Sequence, residues 1–309
     1  MMQQKTTLYL ILLAIMLVAC GNGGQSPPSQ GKQVSSIGAM NTLTSYAYDQ
    51  PDQVMVLSSQ LIEISSLAYD ATTDQLITND DESGNFYFLN KKDGKIVQKQ
   101  NFSKPDDYEG IEMVDSTIIV LKNTGTLVMY DLATKSMERK NNALKGSNDV
   151  EGLCYDSEKQ LLLLACKGKP LLKKKGKKDG KCIYTYDLKT ESLDTMPYIR
   201  ILETDLVNFV EDRLTHNSPA VKNHKFKRVK DFAPSGIAIH PQTKDIYIIS
   251  ARGSLIVRTS PQGQIDEIGF FNEDILPQPE GITFDNTGDL FIAGEGHGRS
   301  GKLFRFSLP

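Results

Sequence analysis

The chain has 309 residues, of which 39% are hydrophobic and 24% charged, with a formal net charge of −3. This length is enough for one sizeable folded core. The slightly acidic balance excludes the strongly basic face that nucleic-acid binding requires, so no nucleic-acid partner is expected.

The N-terminus is typical of a bacterial secretory signal, with Lys5 followed by an apolar run from Leu8 to Val18. That run is shorter than the roughly 20 residues of a membrane-spanning helix. Leu17-Val18-Ala19-Cys20 resembles the lipobox of bacterial lipoproteins. The resemblance implies that residues 1–19 are a signal peptide and that Cys20 becomes lipidated with palmitate. The alternative is an ordinary secretory signal with an incidental cysteine.

Residues 20–40 are rich in Gly, Ser, Pro, Gln and Asn, and we interpret them as a flexible tether. The predicted location is therefore the cell envelope, with the membrane contacted through lipidated Cys20. Gly21, rather than an aspartate, favours the outer membrane, and the cell membrane is the alternative. We expect a monomer.

A short phrase of one polar, one small and one apolar residue recurs before predicted strand pairs, and it fixes the fold class. Its copies are Ser65-Ser66-Leu67, Glu109-Gly110-Ile111, Glu151-Gly152-Leu153, Ser235-Gly236-Ile237 and Glu280-Gly281-Ile282. The steps between first positions are 44, 42, 84 and 45 residues. A period near 40–45 residues built of strand signals predicts an all-β protein, a β-propeller with four-stranded blades, over residues 41–309.

The last repeat is one strand short, and the ring needs a strand to complete it. Val54–Ser58 precedes the first phrase at the spacing of an outermost strand, so we expect this N-terminal strand to close the last blade.

The 84-residue step leaves room for a sixth blade, but five blades are favoured. Between residues 192 and 232 the phrase is missing, which predicts an insertion in blade three. Leu206, Phe209, Val210 and Leu214 have helical spacing, with Thr204 or Asp205 as the cap. The basic stretch from Lys222 to Lys230 is interpreted as a loop.

Three cysteines follow the tether, and their spacing matches no zinc pattern: Cys154, Cys166 and Cys182. Buried thiols are the favoured interpretation. Cys166 and Cys182 are candidates for neighbours on paired strands, and the redox state stays open.

In a propeller the innermost strands line a central channel, so the polar phrase residues are expected to surround one mouth. The loops after each second strand open on the same face. The predicted mouth residues are Ser65, Glu109, Glu151, Ser235 and Glu280 from the phrases, with Lys122, Lys167 and Arg252 from the loops.

Carboxylates that converge need a partner that compensates their negative charge, and the sequence leaves three kinds of partner open. A calcium ion would use Glu109, Glu151 and Glu280, helped by Asp81 or Glu295. The loop cations offer internal pairing instead. Each glutamate could also accept backbone N–H bonds at the start of its strand.

Catalytic signals are weak, so a binding protein is favoured over an enzyme. His297, close to Glu295, is the one histidine expected to reach this mouth, where the pair could act as a general base. The alternative is a solvated loop histidine, because the sequence shows no nucleophile motif beside it.

Four segments resemble the SdiA-regulated, YjiK-like family of bacterial propellers. They are Ile64-Ser65-Ser66-Leu67-Ala68-Tyr69, Asp107-Tyr108-Glu109-Gly110-Ile111-Glu112, Val150-Glu151-Gly152-Leu153-Cys154-Tyr155 and Gln278-Pro279-Glu280-Gly281-Ile282. The resemblance implies a secreted or membrane-associated propeller.

These observations together predict a lipid-anchored envelope protein that binds a small ligand or a protein partner at the channel mouth. The alternative function is a calcium-dependent hydrolase, similar to a phosphoesterase or a lactonase, that uses the same glutamates.

Overall fold

A computed structural model describes residues 46–171, 180–214, 217, 219–296 and 298–308. The predicted signal peptide, the tether, Cys20 and His297 lie outside these residues, and so does most of the lysine-rich segment before Lys181. Among the helices of the described residues, none is both long and apolar enough to cross a membrane.

The described chain consists of antiparallel sheets that follow one another along the sequence. The first strand, β1, is Gln53–Val56. Blade one contains β2–β5, which are Ala68–Asp70, Gln75–Asn79, Asn85–Asn90 and Ile96–Asn101. Blade two contains β6–β9, which are Tyr108–Val114, Thr117–Lys122, Leu127–Asp131 and Met137–Lys140.

Blade three has a divided outer strand and is followed by helices. It contains β10–β14, which are Val150–Asp156, Leu161–Cys166, Lys181–Asp187, Ser192–Leu193 and Ile199–Ile201. The helices α1 and α2 are Glu203–Arg213 and Pro219–Lys230. Both short strands pair with β12, so part of the outer edge of blade three lies within the predicted insertion.

The last two blades complete the architecture. Blade four contains β15–β18, which are Gly236–Ile239, Ile246–Ser250, Leu255–Thr259 and Ile265–Phe270. Blade five contains β19–β21, which are Pro279–Phe284, Leu290–Gly294 and Lys302–Phe306. The described residues thus form a five-bladed β-propeller. The alternative of a sixth blade is wrong, because helices occupy the long step.

Ring closure depends on the N-terminal strand. β1 pairs with β21 antiparallel, from Gln53 opposite Arg305 to Val56 opposite Lys302. The predicted closing strand, Val54–Ser58, is confirmed. It begins one residue earlier, at Gln53, and ends two residues earlier, at Val56. Just before β1, Tyr46 and Tyr48 are buried in the cluster between blades four and five, and the Tyr46 hydroxyl donates to the Gly288 carbonyl over 2.5 Å.

The small residue of the phrase is needed because neighbouring inner strands almost touch. A Cβ placed on each phrase glycine would meet the next blade at less than 3.0 Å: Gly110 at Leu153 Cβ (2.8 Å), Gly152 at Ile237 Cγ2 (2.9 Å), Gly236 at the Glu280 carbonyl oxygen (2.8 Å) and Gly281 at the Ser66 carbonyl carbon (2.7 Å). A side chain at any of these four glycines would push the strands apart, whereas the first phrase has Ser66 at the equivalent position, so the repeat requires a small residue there.

The hydrophobic core is divided into clusters between adjacent blades. Phe86 of blade one packs with Ile118 of blade two, and Phe291 of blade five packs with Leu76 of blade one. Three further clusters join the remaining neighbours. Since every sheet packs against two others, the strands in the middle of a blade are largely buried on both faces.

The insertion differs in detail from its sequence prediction. α1 has the predicted buried residues Leu206 and Val210, but it begins at Glu203 after Leu202, which makes no side-chain cap bond. The prediction of Thr204 or Asp205 as the cap is therefore wrong. The stretch from Lys222 to Lys230 is helical rather than a loop, because Val229 packs into the core and Arg228 is held by hydrogen bonds.

The three described cysteines form no disulfide. Cys166 and Cys182 lie directly opposite each other on β11 and β12, as the sequence suggested. Burial raises the pKa of the Cys154 thiol well above its ordinary value, which leaves that sulfur protonated and unreactive.

The close approach of the inner strands predicts that Gly281→Ala destabilises the protein. Its Cβ would lie 2.7 Å from the Ser66 carbonyl carbon and 2.9 Å from the Leu67 nitrogen, backbone atoms that cannot move without opening the ring. We expect a loss of about 1–3 kcal/mol in the free energy of unfolding, measured by urea denaturation.

Gly146→Ala is the matched control, since nothing lies within 4 Å of the added Cβ. It should change stability by less than about 0.5 kcal/mol. Equal stability of the two variants would contradict the steric explanation.

Candidate functional site

Three glutamates from different blades act on one another through their charges. Glu109, Glu151 and Glu280 lie near the starts of β6, β10 and β19, which are inner strands of the ring. Lys167 Nζ lies 2.5 Å from Glu151 Oε1 and supplies positive charge to this group. The charge of Glu151 acts on Glu109 of the adjacent blade two and also on Glu280 of blade five, with blade four between them.

Burial and mutual repulsion make these carboxyl groups unusually basic. Burial, followed by the charge of Glu151, raises the pKa of Glu109 to about 9. Burial, followed by the charges of Glu151 and Glu295, raises the pKa of Glu280 well above its ordinary value. For Glu151, which is 6% exposed, burial outweighs the opposite charge of Lys167, so its pKa rises to about 7.

Two further acidic residues border the group. Asp81 follows β3, and burial together with Glu82 and Glu63 raises its pKa to about 7. Within the described residues its Oδ1 atom is buried without a hydrogen-bond partner. The charge of Glu295 also acts on Asp81 and Glu280, which places it at the same mouth.

The phrase serines have a structural role at this mouth. Ser65 Oγ donates to the Tyr108 carbonyl over 2.9 Å, and Ser235 Oγ donates to the Pro279 carbonyl over 2.5 Å. Each bond links one blade to the inner strand of the next. Because the two serines are only 5% and 1% exposed, they join the blades and offer little surface to a ligand.

Two of the three loop cations form ion pairs with carboxylates, and the third lines a cavity. Lys122 Nζ pairs with Asp106 Oδ2 at 2.5 Å, whereas Lys167 pairs with Glu151. Arg252 is exposed and lines a cavity of about 450 Å³ beside the insertion. Internal pairing thus compensates Glu151, and Lys122 compensates a different carboxylate from the one expected.

Sequence reasoning missed a carboxyl group inside the channel. Glu112 on β6 lines a cavity of about 140 Å³ together with Cys154 and residues of all five inner strands. Its carboxylate accepts hydrogen bonds from the Met113 and Tyr155 backbone nitrogens at 2.8 and 3.0 Å. Burial outweighs these bonds and raises the pKa of Glu112 to about 7. The available signal was a charged residue in the middle of a predicted inner strand.

The geometry gives no support to a metal centre. Among the described residues, no three His, Cys, Asp or Glu side chains are grouped closely enough to hold an ion. The four predicted metal ligands interact through their charges but do not form a group that could coordinate one ion: Glu109, Glu151, Glu280 and Asp81.

A model of the SdiA-regulated family matches residues 40–297. The chain belongs to the SdiA-regulated family. A search of curated proteins finds no match.

Several solved structures are similar to this chain at low sequence identity. A glutaminyl cyclase from Myxococcus xanthus has a TM-score of 0.52 at 11% identity, covering 84% of this chain and 95% of its own. A gluconolactonase from Xanthomonas campestris has a TM-score of 0.48 at 12% identity, covering 83% and 89%. An auxiliary nutrient binding protein from Bacteroides thetaiotaomicron has a TM-score of 0.47 at 16% identity, covering 81% and 60%. At 11% identity, the similarity to the glutaminyl cyclase shows the fold alone.

The raised pKa values predict that stability falls as pH increases. A carboxyl group with a higher pKa in the folded state holds its proton more tightly there, so folding is favoured at low pH and loses this advantage as pH rises. The values of about 7 for Glu151 and about 9 for Glu109 place the decline between about pH 5 and pH 9.

Glu280→Gln should therefore be about 1–3 kcal/mol more stable than the natural protein at pH 9 and similar to it at pH 5, in urea unfolding at both pH values. Glu211→Gln, on the exposed face of α1, serves as the control and should keep the natural pH profile. An unchanged profile for Glu280→Gln would show that Glu280 is not held in a repulsive field.

Proposed function

We propose that the protein is a lipid-anchored cell-envelope protein whose propeller mouth binds a small ligand or a segment of a protein partner. The observation that supports this most directly is the group formed by Glu109, Glu151 and Glu280 around Lys167. Buried like charges reduce stability, and such arrangements concentrate at functional sites. The phrase itself tolerates a neutral residue, as Ser65 and Ser235 show, so the ring does not require the three acids.

The chemistry of the mouth indicates what it would bind. Carboxylates accept hydrogen bonds, and protonated carboxyls can donate one. With pKa values near or above neutrality, the group offers both forms at physiological pH. A ligand that presents amine or hydroxyl groups would satisfy these oxygens and relieve their repulsion.

The triple variant Glu109→Gln, Glu151→Gln and Glu280→Gln tests this proposal. Amines, polyols and sugars would be screened against the natural protein by thermal shift, and the compounds that raise Tm would be measured by calorimetry. A ligand at 100 times its Kd adds about 2.7 kcal/mol, which is several degrees for a chain of this size. We expect the triple variant to fold, with equal or higher Tm, and to lose this shift.

Three outcomes separate the candidate functions. A shift that survives in the triple variant would move the site away from the glutamates. Calcium that raises Tm only in the natural protein would favour the metal-dependent hydrolase. If no compound in the panel and no peptide from envelope proteins binds, the mouth is not a ligand site.

The proposed anchor has a test of its own. Cys20→Ser should abolish incorporation of labelled palmitate, because the thiol that accepts the lipid is gone. Cys154→Ser, at a buried thiol, is the control and should label normally. Labelling that persists in Cys20→Ser would contradict the lipoprotein assignment.

A further inference from the structure

A cavity of about 450 Å³ lies between blade three, the insertion helices and blade four. It is separate from the three glutamates, although Lys167 lies next to its rim. Its volume is in the range of small-molecule sites. It is lined by Gly168, Lys169, Pro170, Gly180, Lys181, Ile201, Glu203, Leu206, Val229, Lys230, Asp231, Phe232, Ala233 and Arg252.

The walls of this cavity are held in place by buried contacts. Arg228, which is 8% exposed, donates to the Gly253 carbonyl over 2.5 Å and to the Phe271 carbonyl over 3.0 Å. These bonds join the end of α2 to the loop that carries Arg252. Gly253 has φ +81°, and an added Cβ would clash with the Arg228 carbonyl oxygen, so this contact requires glycine at position 253. Ile201 and Leu206 form a buried apolar base.

Four cations line the cavity: Lys169, Lys181, Lys230 and Arg252. In the described parts of the chain, none of the four lies within 4.0 Å of a carboxylate oxygen, whereas Lys122 and Lys167 on the same face are both paired. Lys181 Nζ donates to the Lys167 carbonyl oxygen, which directs its ammonium group along the rim. Two acids, Glu203 and Asp231, also line the space, so positive charge predominates.

We propose that this cavity binds a small molecule through a carboxylate or phosphate group that Lys181 and Arg252 hold. Lys169 and Lys230 complete the positively charged lining. An arginine guanidinium matches either oxyanion with two parallel hydrogen bonds, and a lysine adds a point charge. The lowered pKa of Lys181 agrees with this: burial and the like charge of Arg252 disfavour its ammonium form, and an anion would relieve that repulsion.

The test uses the full-length protein in detergent, with inorganic phosphate and citrate as probes. Isothermal calorimetry is performed at ionic strength held constant with chloride, so that general screening is the same in every titration. We expect saturable binding of at least one probe, with a matching rise in Tm. Binding of phosphate alone assigns a phosphate ligand, and binding of citrate alone assigns a carboxylate ligand.

The double variant Lys181→Gln and Arg252→Gln should bind the same probe at least about tenfold more weakly. Lys135→Gln with Lys189→Gln removes the same charge from exposed turns and should bind within about twofold of the natural protein. Because the first pair loses a repulsive contact, its Tm without ligand should be unchanged or higher, which confirms folding.

Two results would overturn the proposal. One is that neither probe gives saturable binding, and the other is that both double variants weaken binding equally, which indicates a general charge effect. The triple glutamine variant at the glutamates should bind the anion normally, so this test is independent of the proposed function.

Discussion

The structure depends on the contact between neighbouring inner strands at the phrase position. At Gly236 and Gly281 the backbone of one blade lies against the backbone of the next, with no room for a Cβ. The residue before each glycine consequently lies at the rim of the channel. The same requirement that closes the ring brings Glu109, Glu151 and Glu280 into one electrostatic group. Architecture and candidate site thus arise from one steric constraint.

The five phrases differ in how the polar groups of their first residues are satisfied. Ser65 and Ser235 donate to the next blade and satisfy their own polar groups. The glutamates share only limited compensation, with Lys167 bonded to Glu151. Where local rules are followed the fold gains stability, and where they are broken a functional reason is expected. The cations beside the insertion, which have no carboxylate within 4.0 Å among the residues that the structure describes, are a second departure of this kind.

The fold was largely predictable from sequence because its repeat is a local signal. The phrases locate each inner strand, and the short last repeat locates the closing strand at Val54. The helicity of Lys222–Lys230 was not predictable, because its polar sequence is stabilised by tertiary contacts of Arg228 and Val229. At the site, sequence placed the glutamates on equivalent strands, but it could not show that Lys122 pairs with Asp106. The cavity beside Arg252 also escaped prediction, since its walls come from segments distant in sequence.

The way in which the ring is closed has a mechanical consequence for any pull on the chain ahead of Tyr46. Tension transmitted along the leading segment would act first on Tyr46 and Tyr48, which are buried between blades four and five. Only after these rings were extracted would the load reach the four residue pairs that join β1 to β21. A pull in this direction would thus load the two buried tyrosines before it reached the strand pair that closes the ring.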